Sequence, residues 1–132
     1  MKRVHLLFLV LLGCMDSPEK EQPDIDIVGK WRLVKTEAMI HYDHSVNQIF
    51  YKFHPNGILT VESSVGEMHG VYKSGDYTYE LLNGEFGSWR EYTFYAHLKF
   101  DDKVYGCYLA PDKMMLVDNP ALDGPLIYFI RR

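Results

Sequence analysis

The chain has 132 residues, enough for one domain and one core, and 47% are hydrophobic, which excludes wholesale disorder. Fourteen Lys and Arg stand against eighteen Asp and Glu, a net charge of −4 that argues against a nucleic-acid binder, which needs a basic face. Ten Tyr, seven Phe and two Trp favour strands over helices.

The first segment reads as an address. Lys2 and Arg3 make a positive start, and Val4 to Leu12 is an apolar run broken only by His5. That run is too short to span a bilayer, which takes about 20 residues, and has the length of a signal-peptide core. Leu11-Leu12-Gly13-Cys14 resembles the lipobox of bacterial lipoproteins. The resemblance implies a signal peptide over 1–13, cleavage before Cys14, a diacylglycerol on its thiol, and an outer-membrane lipoprotein of a Gram-negative envelope. Losing Lys2 and Arg3 takes 14 cations to 12 against 18 anions, a balance of −6. Two or more acyl chains hold a protein stably on a bilayer, so the membrane is the expected partner through Cys14. Met15 occupies the position where enteric lipoproteins carry the Asp that retains them at the inner membrane. Asp16 to Asp24 is polar, acidic and carries two prolines, so 14–28 is expected to be a flexible tether. With Cys14 lipidated, Cys107 stands alone in an apolar run and reads as a buried small hydrophobe.

From Gly29 the apolar period is close to two and turn signals recur. They are His54-Pro55-Asn56-Gly57, Ser74-Gly75-Asp76, Leu82-Asn83-Gly84, Phe100-Asp101-Asp102-Lys103, Ala110-Pro111-Asp112-Lys113 and Asp118-Asn119-Pro120. Tyr92, Phe94, Ala96, Leu98 and Phe100 lie on one face of a strand, with Glu91, Thr93, Tyr95, His97 and Lys99 on the other. The pattern predicts strands over 29–40, 46–54, 57–65, 69–80, 89–100, 103–110, 113–118 and 125–131. Residues 37–46 allow a short helix or an irregular loop. Eight short antiparallel strands with hairpin connections predict an all-β protein, a small up-and-down barrel over 29–132 that leaves no edge unpaired. A β-sandwich of the same strands is the second architecture.

Gly29-Lys30-Trp31 resembles the Gly-x-Trp that opens the first strand of lipocalins and related calycins. The whole pattern resembles the short lipocalin-like domain lipoproteins of bacteria, over about 28–132. The resemblance implies that Trp31 packs at the closed end of the barrel under an Arg from the last strand, Arg131 or Arg132. Ring closure supports this, because the start of the first strand lies beside the end of the last. The second lipocalin motif, Thr-Asp-Tyr, is absent, with Gly75-Asp76-Tyr77 a faint echo, and the long C-terminal helix is missing; both departures argue against a large cavity.

Small barrels either fill with side chains or hold one small ligand. The residues expected to face inward are Phe53, Tyr77, Tyr79, Tyr92, Phe94 and Phe100. As the wall of a site they suit a small hydrophobic or amphipathic molecule, and the expected function is a membrane-anchored protein that binds or carries such a ligand in the cell envelope, with a non-enzymatic interaction module as the alternative. As filler they leave an interaction module that binds a protein or glycan through its outside, with Tyr95 and Trp89 as outward aromatics. His41-Tyr42-Asp43-His44 groups metal-binding residue types, but on a strand His41 and His44 face opposite ways. His54, His69 and His97 fall in polar phase and are expected to face solvent. The sequence has no Gly-x-Ser-x-Gly, Cys-x-x-Cys, His-Glu-x-x-His or phosphate loop, so neither enzyme activity, metal nor cofactor is expected.

Overall fold

The computed structural model describes residues 25–38, 41–66, 72–118 and 125–132. The Cys14 lipidation site and the signal segment lie outside these residues. The strands are β1 (Gly29–Glu37), β2 (His41–Asp43), β3 (Ile49–Phe53), β4 (Ile58–Ser63), β5 (Gly75–Trp89), β6 (Tyr92–Phe100), β7 (Lys103–Leu109), β8 (Lys113–Val117) and β9 (Leu126–Arg131). All pairings are antiparallel, and each strand from β3 to β8 pairs with the next. β1 pairs with β3 through Gly29–Arg32 and with β9 from Trp31 to Glu37, so eight strands close into a barrel. The sandwich alternative falls, because a closed ring leaves no second sheet.

The ambiguous segment at 37–46 contributes β2, a ninth strand that pairs with Lys35–Glu37 of β1 beyond the point where β3 leaves. Two-residue reversals work as read. Asp101 and Asp102 both sit at positive φ, 53° and 59°, the paired left-handed conformation that matches the twist of a hairpin. Ser74-Gly75-Asp76 and Leu82-Asn83-Gly84 are not hairpin turns. The first opens β5, and the second lies inside it. β5 therefore occupies 75–89, where the sequence predicts a strand over 69–80 and a break. The nine-residue β6 needs a partner along its length. β5 supplies one by running through Gly84 and Gly87, both at positive φ, with a register shift between Asn83 and Gly87. The reversal falls at Arg90 instead, at φ 55°.

The register separates two cores. Cys107, Leu116 and Ile127 lie opposite one another on β7, β8 and β9, as do Leu109, Met114 and Phe129, and all six are buried in the barrel. Met115, Val117 and Leu126 have the opposite phase and point outward, yet they too are buried. The far half of the β5–β6 hairpin covers them, with Phe94 buried in this second cluster and Phe86 and Tyr92 packed against it. Gly106 makes the cover possible, since a Cβ there would come within 2.5 Å of the Phe86 ring. This explains the unbroken apolar run Met114–Val117, which is buried on both faces.

Candidate functional site

The barrel has two ends of different chemistry. At the closed end the chain enters across Ile25–Val28, and Ile27 is buried in the core rather than solvated with the tether. The Trp31 indole N–H donates to the Ile27 carbonyl at 2.8 Å. The Arg131 guanidinium lies over the Trp31 ring, 4.1 Å from its centroid. Its Nε donates to the Pro111 carbonyl at 2.9 Å, Nη1 to that of Val28 at 3.1 Å and Nη2 to that of Asp26 at 2.6 Å. One side chain thus ties the chain entry, the β7–β8 turn and β9 together. Gly29 gives it room. Its φ is +135°, and a Cβ would sit 2.9 Å from Arg131 Nη1. Arg132 is exposed and takes no part.

The interior is filled by rings that meet across the axis. Tyr51 on β3 contacts Phe129 on β9 at 4.9 Å and Phe100 on β6 at 6.4 Å, centroid to centroid. Phe100 stacks with Tyr105 at 5.3 Å, and Phe53 meets Tyr79 edge-on at 5.0 Å. Tyr72, from the segment joining β4 to β5, enters this cluster near the open end. Its ring lies 4.9 Å from Phe100 and its hydroxyl 2.5 Å from that of Tyr105. Burial pushes the Tyr51, Tyr72 and Tyr105 phenols up from their ordinary value, so all three are neutral at physiological pH.

Of the six residues expected to face inward, Phe53 and Phe100 are buried in the barrel, and Tyr77 and Tyr79 pack against its core with their hydroxyls donating to the Lys73 and His54 carbonyls. Tyr92 and Phe94 are not barrel-lining. They belong to the outer cluster, because β6 pairs with β7 only as far as Ala96 and its first residues cross over β7–β9. Tyr51, Tyr105 and Phe129 join Phe53 and Phe100 in the barrel core, and their alternation with Phe53, Cys107 and Ile127 carries the signal in the sequence. Tyr72 had no such signal, since it precedes its strand. Tyr95 is half-buried, and the Trp89 side chain and His69 lie outside what is described.

Toward the open end Thr36 and His44 each carry a buried polar atom without a partner among the described residues. Thr36 faces inward opposite Ile127, and its Oγ1 is buried and unpaired. His44 is buried, with Nδ1 3.1 Å from Asn47 Nδ2 and Nε2 unpaired. Desolvation lowers the His44 pKa, against the pull of the neighbouring Asp43 charge. A neutral ring whose Nδ1 faces an NH₂ donor carries its proton on Nε2. His41 is exposed, so the two histidines do part ways. Among the described residues no three of His, Cys, Asp and Glu converge as metal ligands do. His97 lies on the outer face of β6 as expected but is half-buried rather than open to solvent. Phe86 lies edge-on to it at 5.2 Å, and its Nε2 is buried. The Cys107 thiol is buried, which pushes its pKa up and keeps it protonated. An open cleft of about 430 Å³ runs beside Thr78–Glu80 and Lys99–Asp102, with charged walls.

No protein-family model matches the chain, and no curated protein matches it. The closed eight-stranded antiparallel barrel is compatible with a lipocalin-like calycin fold.

Proposed function

We propose that the chain is a lipoprotein of the Gram-negative outer membrane, anchored through acyl groups on Cys14. Its barrel is a non-enzymatic interaction module that works through its outer surface. The lipobox supports the anchor. The single observation that carries the rest is Tyr51 touching both Phe129 and Phe100, with Tyr72 packed above them. A carrier for a drug-sized molecule needs an enclosed space of roughly 300 Å³ or more, and here rings from β3, β6 and β9 occupy the axis. A carrier of a small hydrophobic or amphipathic ligand is the second reading. It is favoured by the placement of Tyr72 on a connecting segment rather than in a paired strand.

The test is mass spectrometry of the intact protein purified from its native membrane. Denaturing spectra are expected to show Cys14 as the N-terminus with diacylglycerol and fatty acyl mass. Native spectra of the barrel released by cutting the tether are expected to give the bare polypeptide, with no thermal stabilisation by added lipids. An extra mass that vanishes on denaturation would replace this reading with the carrier.

A further inference from the structure

The outer face of β3, β1, β9 and β8 carries a pattern the fold does not need. Lys52 on β3 lies directly opposite Lys30 on β1, and the Arg132 backbone N–H donates to the Lys30 carbonyl on the other side. Three cations thus form a row, although like charges placed opposite one another destabilise a sheet. The next row runs Phe50, Arg32, Ile130, Lys113 across the same strands. Lys30 Nζ sits 4.3 Å above the Phe50 ring, and Lys113 Nζ is 5.4 Å from the Tyr92 centroid. Ile130 is 38% exposed between them. Among the described residues Lys35 and Lys103 reach carboxylates, whereas Lys30, Lys52, Lys113 and Arg132 form no ion pair. Glu62, opposite Phe50, and Asp112, in the β7–β8 turn, border the face without pairing to it. A chain with eighteen acids and a net charge of −4 has left this face cationic.

We propose that this face docks on the anionic phospholipid surface of the bilayer. The exposed Lys30, Lys52 and Arg132, beside Phe50 and Ile130, match a headgroup layer, where phosphates meet the charges and apolar groups reach the acyl boundary. The entry point agrees. Lys30 is the second residue of β1, so the chain arriving from Cys14 enters beside the cation row. Ten residues lie between Cys14 and Ile25, a leash of about 40 Å at full extension. Within such a leash the local concentration of membrane is high, and a weak contact suffices to orient the barrel. The choice of a membrane as occupant rests on the lipid-tether reading above.

The test uses the mature chain with Cys14→Ser, which takes no acyl group, sedimented with vesicles. One set is phosphatidylethanolamine with about a third phosphatidylglycerol, and the other is phosphatidylcholine alone. Binding is expected to the first set, with release as NaCl rises from about 0.05 M to about 0.3 M. Lys30→Ala and Lys52→Ala are each expected to weaken it about five-fold, and Lys99→Ala, on the outer face of β6, to leave it unchanged. Unfolding midpoints check that each variant is folded. Equal binding to both vesicle sets, no binding to either, or an equal loss in Lys99→Ala would overturn the proposal. Absence of acyl mass on Cys14 in the native protein sinks the tether reading and leaves the vesicle result standing, so the two failures are distinguishable.

Discussion

The closed end of the barrel and its open end are built by opposite means. At the closed end Arg131 places three donors on carbonyls of two segments, the chain entry and the β7–β8 turn, and Trp31 places its N–H on a fourth carbonyl, in the chain entry. At the open end Tyr72 and Tyr105 share one hydroxyl contact, while Thr36 Oγ1 and His44 Nε2 have no partner among the described residues. Satisfied polar atoms around a buried ring make a rigid terminus, whereas unpaired ones each cost about 1–3 kcal/mol. Stability is therefore expected to concentrate where the chain enters and to thin toward the mouth, the usual distribution for a protein whose openings occur locally.

The contrast can be broken most forcibly at Trp31. Trp31→Ala empties the closed end and is expected to cost about 3–5 kcal/mol, read as a lower denaturant midpoint in equilibrium unfolding. Arg131→Met keeps the stem but removes the charge and three donors. Water can reach some of the freed carbonyls, so the expected loss is about 2 kcal/mol. Gly29→Ala pushes on the same guanidinium, so the double variant with Arg131→Met should lose less than the two single losses added. A strictly additive double-mutant cycle would separate Gly29 from the clasp. At the other end Tyr72→Phe deletes one hydroxyl contact and is expected to cost about 1 kcal/mol. Hydrogen exchange should also speed up near Tyr105 with little change at Trp31. If both ends respond alike, the two ends are one cooperative unit.

The smallest effect is a change of slope. Burial holds His44 below its ordinary 6.5 when folded, so the unfolded chain takes up its proton first as pH falls. The His44 contribution is thus fully present above about pH 6.5, declines as pH drops below that value, and levels off once the folded ring is also protonated. His44→Phe should flatten the thermal midpoint between pH 7 and pH 5. An unchanged slope would mean that carboxylates alone set the acid response.

Much of this was written in the sequence where one face of a strand is wet. The alternation of β3, β4 and β6 gives the barrel directly, and ring closure brings the start of β1 to the end of β9, so Trp31 and Arg131 were legible together. The alternation stops being informative where both faces are buried. Met114–Val117 shows no period, because the β5–β6 hairpin covers its outer side. Phe94 and Ala96 share a face in sequence yet enter different cores, since the hairpin leaves β7 between them. Asn83-Gly84 carries turn chemistry, but the demand of β6 for a partner outweighs it. Tyr72 comes from a connection, where no period exists to reveal it.

The pairing of β1 with β9 also governs when this protein can form. Val28 and Arg131 stand 103 positions apart in the chain and meet in one hydrogen bond. No nucleus built from the first half can be sealed until the last strand is available, and until then β1 and β8 are open edges. Barrels dominated by such distant partners fold over milliseconds to seconds, because loop-closure entropy is spent before the final contacts return it. The six residues of β9 thus act as the latch of the assembly, and a nascent chain lacking them is a ribbon rather than a vessel.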